Sequence, residues 1–341
     1  MKKRLRQGLL AIVFLLFIGT FGPTAWAAEI TQDEVNLWQT EPNIQSSADK
    51  LYHDALQDNI PQLQEALHAL PLPDQEVARF LLLKKIEEQG LVLTPRLAIF
   101  VQSQQKHKPI YQVSESGDGY TALVPVFNTS LIADRLIQNW NEDQAVLDFI
   151  IAAENEKLEL ATWLTGNDSE VKKKEALFLE EADSLSPKAL NYFVSQLSGD
   201  DLVKWLPPNS ILVKLAQLTK DEGIYRLLWK TKVDDSTLGE IRRLTKVGDN
   251  FSVNQVIDAS ENPALKTTAI EQLVTIKPMP LDVQRFLMER LNRGGDGLMV
   301  AMALSKSEHQ DWLMMLLKSG QIEGSKSLMN SISMEMESLN L

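Results

Sequence analysis

Apolar residues recur every three or four positions along most of this 341-residue chain. The spacing is clear in Leu131-Ile132, Leu136-Ile137 and Trp140, where apolar side chains return to one face of a helix. A helix with one apolar stripe must bury that stripe against a neighbour. The pattern therefore predicts an all-α fold of antiparallel helix pairs, with helices of roughly 10 to 16 residues joined by short loops.

Start and stop signals punctuate these periodic stretches. Thr31 followed by Glu34 has the pattern of a capping box, and Ile30 is placed to contact Val35 as a hydrophobic staple. Further predicted starts, with a polar cap before a proline or three residues before a glutamine, are Ser186-Pro187, Asn262-Pro263 and Ser307 to Gln310. Predicted stops, where a glycine follows the last apolar residue as a left-handed cap requires, are Gly90, Gly166, Gly199, Gly248, Gly294 and Gly320.

One segment departs from helical spacing. Residues 110–113 and 120–127 have strand character on either side of a glycine-rich turn, which predicts a small β-hairpin over residues 110–127. Pro125 has no N–H to donate to a ladder, so the second strand is expected at a sheet edge. The hairpin is interpreted either as a connector that covers one end of a helical core or as an exposed recognition element. Under the second interpretation the interaction candidates are Ser114, Glu115, Gly117, Asp118 and Gly119.

The C-terminal third carries the most regular pattern. A helix pair is predicted from Asn262 to Leu291, and the alternation continues through Val300-Ala301, Ala303-Leu304 and Trp312-Leu313. Over residues 250–320 this spacing resembles HEAT-type helical repeats. The resemblance implies a right-handed stack of antiparallel helix pairs, an α-solenoid with a concave face, and proteins of that family usually bind other proteins. It implies no catalytic chemistry.

The first 28 residues have the pattern of an export signal. Basic residues at positions 2, 3, 4 and 6 precede an apolar run from Leu9 to Ile18, which ends at Gly22-Pro23. Ala25 and Ala27 place small residues where signal peptidase recognises its substrates, so cleavage is predicted before Ala28. The run is shorter than the roughly 20 apolar residues of a membrane-spanning helix, and an uncleaved inner-membrane anchor is the alternative. We expect a periplasmic protein of a two-membrane bacterium, with secretion as a further alternative.

Charge and cysteine content limit the partners and the anchors that the chain can have. The sequence has 34 Lys and Arg against 46 Asp and Glu, a net charge of −12. Removal of the four cations in the signal leaves 30 against 46, or −16. This balance argues against nucleic acid and anionic lipid as partners and favours neutral or basic ones. Because the chain has no cysteine, a disulfide and a lipid-modified cysteine anchor are both excluded, and a hydrophobic core must hold the fold.

Motifs of catalysis and cofactor binding are missing from the sequence. No nucleophile elbow, phosphate loop or calcium loop is present. Carboxylate pairs such as Glu87-Glu88 and Asp234-Asp235 are interpreted as solvated helix faces, although a fold can bring two acids together for glycan hydrolysis. With no cysteine, and with histidines far apart in sequence, no metal, cofactor or catalytic residue is predicted. The histidines, expected at surfaces or helix ends, are His53, His68, His107 and His309.

Six tryptophans follow residue 28, and each lies in or beside an apolar helix. Core packing is the main interpretation, because large aromatic side chains dominate cores. The alternative is a groove that grips a peptide, a glycan or a lipid tail, with Trp140 and Trp205 as interaction candidates.

These features divide the chain into a signal at 1–27, an N-terminal helical region at 28–109, the hairpin insertion at 110–127 and a C-terminal helical-repeat region at 128–341. The expected function is that of an exported scaffold or adaptor that binds another envelope protein or peptide, in an oligomeric state that the sequence leaves open. One alternative is a cell-wall glycan hydrolase with scattered carboxylates. The other is a periplasmic carrier or chaperone for lipid or unfolded protein.

Overall fold

The computed structural model describes residues 28–117, 120–197, 205–293 and 295–339. Within these ranges the fold is dominated by α-helices and includes one three-stranded sheet, which confirms the predictions of a mainly α-helical fold and of the hairpin. The described chain forms two compact units that divide between Gln144 and Ala145.

Several predicted features lie outside the described residues. They are the export signal with its cleavage residues Ala25 and Ala27, the hairpin residues Asp118 and Gly119, and the glycine stops Gly199 and Gly294. Ala28, the predicted first residue after cleavage, is described and opens the first strand.

Unit 1 contains the sheet, five helices and the first part of a sixth. Its elements are β1 (Ala28–Ile30), α1 (Gln32–Thr40), α2 (Pro42–Leu56), α3 (Ile60–His68), α4 (Asp74–Glu88), α5 (Pro95–Gln104), β2 (Tyr111–Gly117), β3 (Tyr120–Pro125) and α6 (Thr129–Glu154), whose C-terminal part belongs to unit 2.

The start of α1 is built as predicted. Glu34 donates its backbone N–H to Thr31 Oγ1 at 3.2 Å, and Glu34 Oε2 accepts the backbone N–H of Thr31 at 2.8 Å. The Thr31 hydroxyl donates to the same Oε2 at 2.9 Å, and the bonds from the Thr31 backbone N–H and hydroxyl lower the pKa of the Glu34 carboxyl. Ile30 and Val35 both pack in the core of unit 1, so the entry of the chain into α1 is held by polar and apolar contacts together.

The sheet has the order β1-β2-β3. β2 and β3 pair antiparallel from Gln112 opposite Pro125 to Gly117 opposite Tyr120, so β3 lies at an edge as Pro125 predicts. Two details differ from expectation. Residues 114–117 extend β2 rather than forming the turn, and Ala28–Ile30 pairs parallel with β2, starting with Ala28 opposite Tyr111.

The core of unit 1 follows from the apolar stripes of its helices. In α2 the buried residues recur at three- and four-residue spacing, at Ile44, Ala48, Leu51 and Ala55. This stripe packs on α4, which also contacts α1 and α3. The α4 helix is therefore the element against which much of unit 1 assembles.

Unit 2 continues from α6 through twelve further helices of the described chain. They are α7 (Leu160–Trp163), α8 (Asp168–Glu181), α9 (Pro187–Leu197), α10 (Asn209–Thr219), α11 (Glu222–Leu228), α12 (Asp235–Val247), α13 (Asn250–Ala259), α14 (Lys266–Leu273), α15 (Leu281–Leu291), α16 (Gly297–Ser305), α17 (Gln310–Lys318) and α18 (Ser325–Leu339), with a 3₁₀ turn at Ala182–Ser184.

Most helices of unit 2 contact the next helix along the chain, the next but one, or both. The even-numbered helices from α8 to α18 contact one another in succession, and α11, α13 and α15 do the same. Both helices predicted in the C-terminal third are present, as α14 and α15, with Ile270, Leu273 and Leu287 fully buried. Their main contacts are with α13 and α16 rather than with one another, so the predicted pairing of the two is not confirmed. Continuous burial of apolar side chains from one helix to the next forms the core of the unit.

Two predicted helix starts fall several residues early. Asn262 accepts the N–H of Ala264 in a turn, and α14 begins only at Lys266. Ser307 likewise accepts the N–H of His309 in a turn, and α17 begins at Gln310. In both places the polar side chain bonds to the backbone two residues on, which favours a turn over a helical cap.

The described glycine stops have the expected backbone: Gly90, Gly166, Gly248 and Gly320 all have positive φ. None of the helices in the described ranges combines the length and the apolar character needed to cross a membrane.

Candidate functional site

A wide cleft of about 950 Å³ opens in unit 2 where α12 and α14 end and α15 begins. The C-terminal turns of α12 and α14 form its sides, and the segment between α14 and α15 completes it. We call this cleft the basic groove. Its lining residues are Arg242, Thr245, Lys246, Val247, Gly248, Gln272, Thr275, Ile276, Lys277, Pro278, Met279, Pro280 and Leu281.

The groove carries three cations and no carboxylate among its lining residues. Lys277 pairs with Glu308. Arg242 and Lys246 are exposed and have no ion-pair or hydrogen-bond partner in the part of the chain that the structure describes. In a protein of net charge −12, two unpaired cations one helical turn apart form a local positive surface.

Exposed apolar side chains border the same groove. Leu281 is 75% exposed at the first turn of α15, and Val247 is 51% exposed at the end of α12. Pro278 is exposed between them in sequence. A surface that combines apolar residues with unpaired cations can desolvate an apolar side chain and attract an anionic one.

The α12 helix is held in place by a buried carboxylate. Glu240 Oε1 accepts hydrogen bonds from Tyr225 Oη at 2.8 Å and Arg243 Nη2 at 2.7 Å. Its Oε2 accepts from Arg243 Nε at 2.8 Å and Gln217 Nε2 at 2.6 Å. Burial, and then the bond to Glu240, raises the pKa of the Tyr225 phenol, which keeps the phenol neutral and donating. Arg243 is thus occupied within the fold, whereas its neighbour Arg242 is free to face a ligand.

A second buried carboxylate organises unit 1. Glu76 is fully buried on α4, and its Oε1 accepts the backbone N–H of Ile110 at 3.0 Å, directly before β2. Ile110 in turn accepts the N–H of Ala28 at 2.8 Å. Glu76 therefore links α4 to the point where β1 and β2 meet.

His107 joins this carboxylate instead of lying free at the surface. His107 Nε2 is 3.1 Å from Glu76 Oε2 and 2.6 Å from Arg79 Nη1. Because arginine only donates, a neutral Nε2 without a proton accepts from Arg79, whereas a protonated Nε2 donates to Glu76. Burial lowers the pKa of Arg79. These contacts make the cluster a structural joint of α4 with the sheet.

The hairpin candidates lie on a half-exposed sheet. Ser114 and Leu123 are opposite one another and exposed, with Leu123 54% exposed. Glu115 is exposed, and Gly117 pairs with Tyr120. Val113 on the other face is buried in the core of unit 1. The sheet thus presents Ser114 and Leu123 on its outer face, whereas Glu115 is on the face of Val113 but is itself exposed.

The tryptophan candidates are packed in the cores of their units. Trp140 Nε1 donates to the carbonyl of Leu93 at 3.1 Å, and the ring packs on the core of unit 1. Trp205 is half-buried against the core of unit 2. The remaining four also contact core residues. For the two candidates Trp140 and Trp205, this placement supports core packing over a tryptophan-lined groove.

An apolar cleft of about 590 Å³ lies within unit 2 between α6, α7 and α8. Phe149 and Trp163 contact each other in its wall, with ring centroids 5.2 Å apart and ring planes tilted by 32°. Leu158 and Leu177 extend the apolar surface, and Lys174 is at the border, donating to the carbonyl of Thr165.

Among the described residues, two carboxylates, Asp148 and Glu159, line the apolar cleft. No three His, Asp or Glu side chains of the described ranges group closely enough to hold a metal ion. Burial, and then the carboxylates of Glu222 and Glu261, raises the pKa of Asp258, as a general acid would need. Asp258 lines neither the basic groove nor the apolar cleft.

Comparisons of the chain with protein-family models, with curated proteins and with solved structures gave no match. The function of the chain is therefore inferred from the residues of the site itself.

Proposed function

We propose that this protein is an exported helical-repeat scaffold or adaptor that binds another envelope protein or peptide, and that the partner binds in the basic groove. One observation carries the proposal: unpaired Arg242 and Lys246 lie beside exposed Leu281 and Val247 in one large groove. Protein-binding surfaces combine such an apolar centre with charged groups around it. Sequence reasoning missed these four residues, since it weighed the hairpin and the tryptophans instead.

The solenoid arrangement is part of this proposal. Contacts between successive even-numbered helices, and between α11, α13 and α15, support a stack of helix pairs over unit 2. In such a stack the ends of neighbouring helices align along one edge, and the basic groove is formed by the ends of α12 and α14.

Affinity capture from an envelope fraction tests the function and compares the two candidate surfaces. The baits are the chain from Ala28 onward, a variant with residues 114–119 shortened, and the double variant Arg242→Gln/Lys246→Gln. We expect the hairpin variant to retain the partner and the groove variant to lose it. The reverse pattern would move the binding site to Ser114 and Glu115, and retention by both variants would exclude both surfaces.

A matched control removes the same charge elsewhere. Lys172 and Lys173 are exposed on α8 and have no partner among the described residues. The variant Lys172→Gln/Lys173→Gln should capture the partner as well as the unmodified chain does. If this control also loses the partner, net charge rather than the groove determines binding.

Export and cleavage before Ala28 belong to the same proposal. Mass spectrometry of the protein from an envelope fraction should find Ala28 as the N-terminal residue. If the protein is instead found in the membrane with Met1 as its N-terminal residue, the proposal of a free periplasmic adaptor would be replaced by that of a membrane-anchored adaptor.

The apolar cleft favours a second candidate function, that of a carrier. Its aromatic wall of Phe149 and Trp163 has the character of a small-molecule site. Native mass spectrometry of protein purified without detergent would then detect a bound apolar molecule. Recovery of the unliganded mass alone would count against the carrier.

A further inference from the structure

We infer that the occupant of the basic groove is an extended acidic peptide segment, with two carboxylates at alternate positions and an apolar residue beside them. This inference rests on the proposed function and specifies its partner. It also refines the expectation from net charge, because the groove is positive although the protein as a whole is acidic.

The spacing of the two cations defines the spacing of the carboxylates. Arg242 and Lys246 are four residues apart on α12, which places them on one face with Cβ atoms about 5–6 Å apart. In an extended chain, residues i and i+2 point to the same side and are about 6.6 Å apart. Acidic residues at alternate positions of an extended peptide therefore face both cations together.

Backbone acceptors at the same place favour an extended partner. The carbonyls of Thr245, Lys246 and Val247 belong to the last turn of α12, where no later helical N–H can reach them. None of the three accepts a backbone or side-chain hydrogen bond from the described residues. An extended peptide has unpaired N–H groups to donate to such carbonyls, whereas a helix has used most of its own.

The size of the groove agrees with an extended chain. A volume of about 950 Å³ holds only about two turns of a helix 10–12 Å in diameter. A single extended strand is narrower and passes more residues through the same space. The exposed side chains of Leu281 and Val247 then cover one apolar residue of the segment.

Lys246 also interacts favourably with the C-terminal end of α12, since positive side chains stabilise a helix in its last turn. That effect requires no ligand and predicts no peptide binding. The test therefore measures binding directly and uses glutamine, which preserves helix propensity.

Fluorescence anisotropy with a defined probe tests the inference. The probe is a fluorescein-labelled peptide containing Glu-Ser-Glu-Leu in a Gly/Ser context, and its partner probe has glutamine in place of both glutamates. The protein is the chain from Ala28 onward, as the unmodified form, as Arg242→Gln/Lys246→Gln and as the α8 control Lys172→Gln/Lys173→Gln.

We expect the unmodified protein to bind the glutamate peptide about tenfold more tightly than the glutamine peptide, since two exposed ion pairs together supply about that factor. The groove variant should lose the preference, and the α8 control should keep it. The preference should also fall as salt rises from 50 to 300 mM, since screening weakens exposed pairs.

Equal affinity for the two peptides, or an unchanged preference in the groove variant, would overturn the inference. Binding of the unmodified protein to vesicles containing phosphatidylglycerol but not to the glutamate peptide would also overturn it, in favour of a lipid surface. If affinity capture depends on the groove while the glutamate peptide shows no preference, the adaptor function stands and the acidic segment is wrong. If capture is independent of the groove, the proposed function itself fails.

Discussion

Replacing Glu76 by glutamine should destabilise unit 1 by about 3 kcal/mol, because the substitution leaves Arg79 buried without a counter-charge. Arg79 Nη1 lies 3.6 Å from Glu76 Oε2, and at an effective dielectric constant of about 20 the attraction across that distance is about 4.6 kcal/mol. Part of it is offset because a neutral amide is easier to bury than a carboxylate. Water that reaches the cluster beside partly exposed His107 screens the attraction between Arg79 and Glu76 and lowers the expected loss further.

Glutamine retains an oxygen that can accept the N–H of Ile110, whereas alanine does not. The variant Glu76→Ala should therefore cost about 1–2 kcal/mol more than Glu76→Gln, before any penalty for the cavity. The difference in stability between Glu76→Ala and Glu76→Gln therefore measures the hydrogen bond that joins α4 to the start of β2.

Glu87→Gln on the same helix is the matched control. Arg135 binds Glu87 through two hydrogen bonds of 2.7 and 2.8 Å, and these bonds lower the pKa of the Glu87 carboxyl, but both side chains are partly exposed. Its loss should cost about 0.5 kcal/mol, as for other surface pairs.

The assay is urea unfolding combined with amide hydrogen exchange of α4 and β2, which assigns the measured free energy to unit 1. An effect of Glu76→Gln no larger than that of Glu87→Gln would refute the buried-charge argument. Equal exchange in β2 for the glutamine and alanine variants would refute the role of the Ile110 bond.

Three further predictions concern the stability of unit 2. A hydrogen bond from Lys266 is the main cause of the lowered pKa of Asp296. The ionised carboxylate therefore stabilises the fold above its unfolded pKa of about 3.9, and this stabilisation is lost as the pH falls. Measured by urea unfolding, the difference in stability between the unmodified protein and Asp296→Asn should be largest at pH 7 and should disappear towards pH 2. Gly297→Ala should destabilise by about 1–3 kcal/mol, because a Cβ would lie 2.7 Å from a backbone oxygen, whereas Gly239→Ala meets nothing within 4 Å and should be neutral or stabilising in thermal unfolding. Tyr225→Phe removes a donor to the buried carboxylate of α12 and should cost about 1–2 kcal/mol in the same measurement.

Local signals in the sequence predicted much of the fold. The capping box of Thr31 and Glu34, the left-handed stop at Gly248 and the hairpin with Pro125 at its edge each depend on residues within a few positions of one another. Such patterns are determined by short-range sterics and hydrogen bonding, so they can be predicted from the sequence alone.

Contacts between residues far apart in sequence could not be predicted. β1 pairs with β2 across about 80 residues, and His107 reaches Glu76 from 31 positions away. One signal was available for both buried carboxylates, because Glu76 and Glu240 fall on the apolar stripes of their helices, beside Val77 and Ile241. A charge on an apolar stripe indicates a buried, paired group.

The groove could not be predicted because it depends on which of two adjacent arginines the fold uses internally. Arg243 turns towards Glu240 and is occupied, while Arg242 remains without a partner in the described chain. That choice is set by the packing of α12 against α10 and α11, which brings Gln217 and Tyr225 to Glu240. Sequence spacing alone does not distinguish the two.

Site-specific photocrosslinking in living cells tests the groove most directly. A photoreactive residue at Leu281 should yield one discrete crosslinked species, and the same residue at Val92, which is 78% exposed in unit 1, should yield none. Adding Arg242→Gln/Lys246→Gln should abolish the Leu281 crosslink. No crosslink at Leu281, or one that survives the double substitution, would contradict the assignment of partner binding to the basic groove.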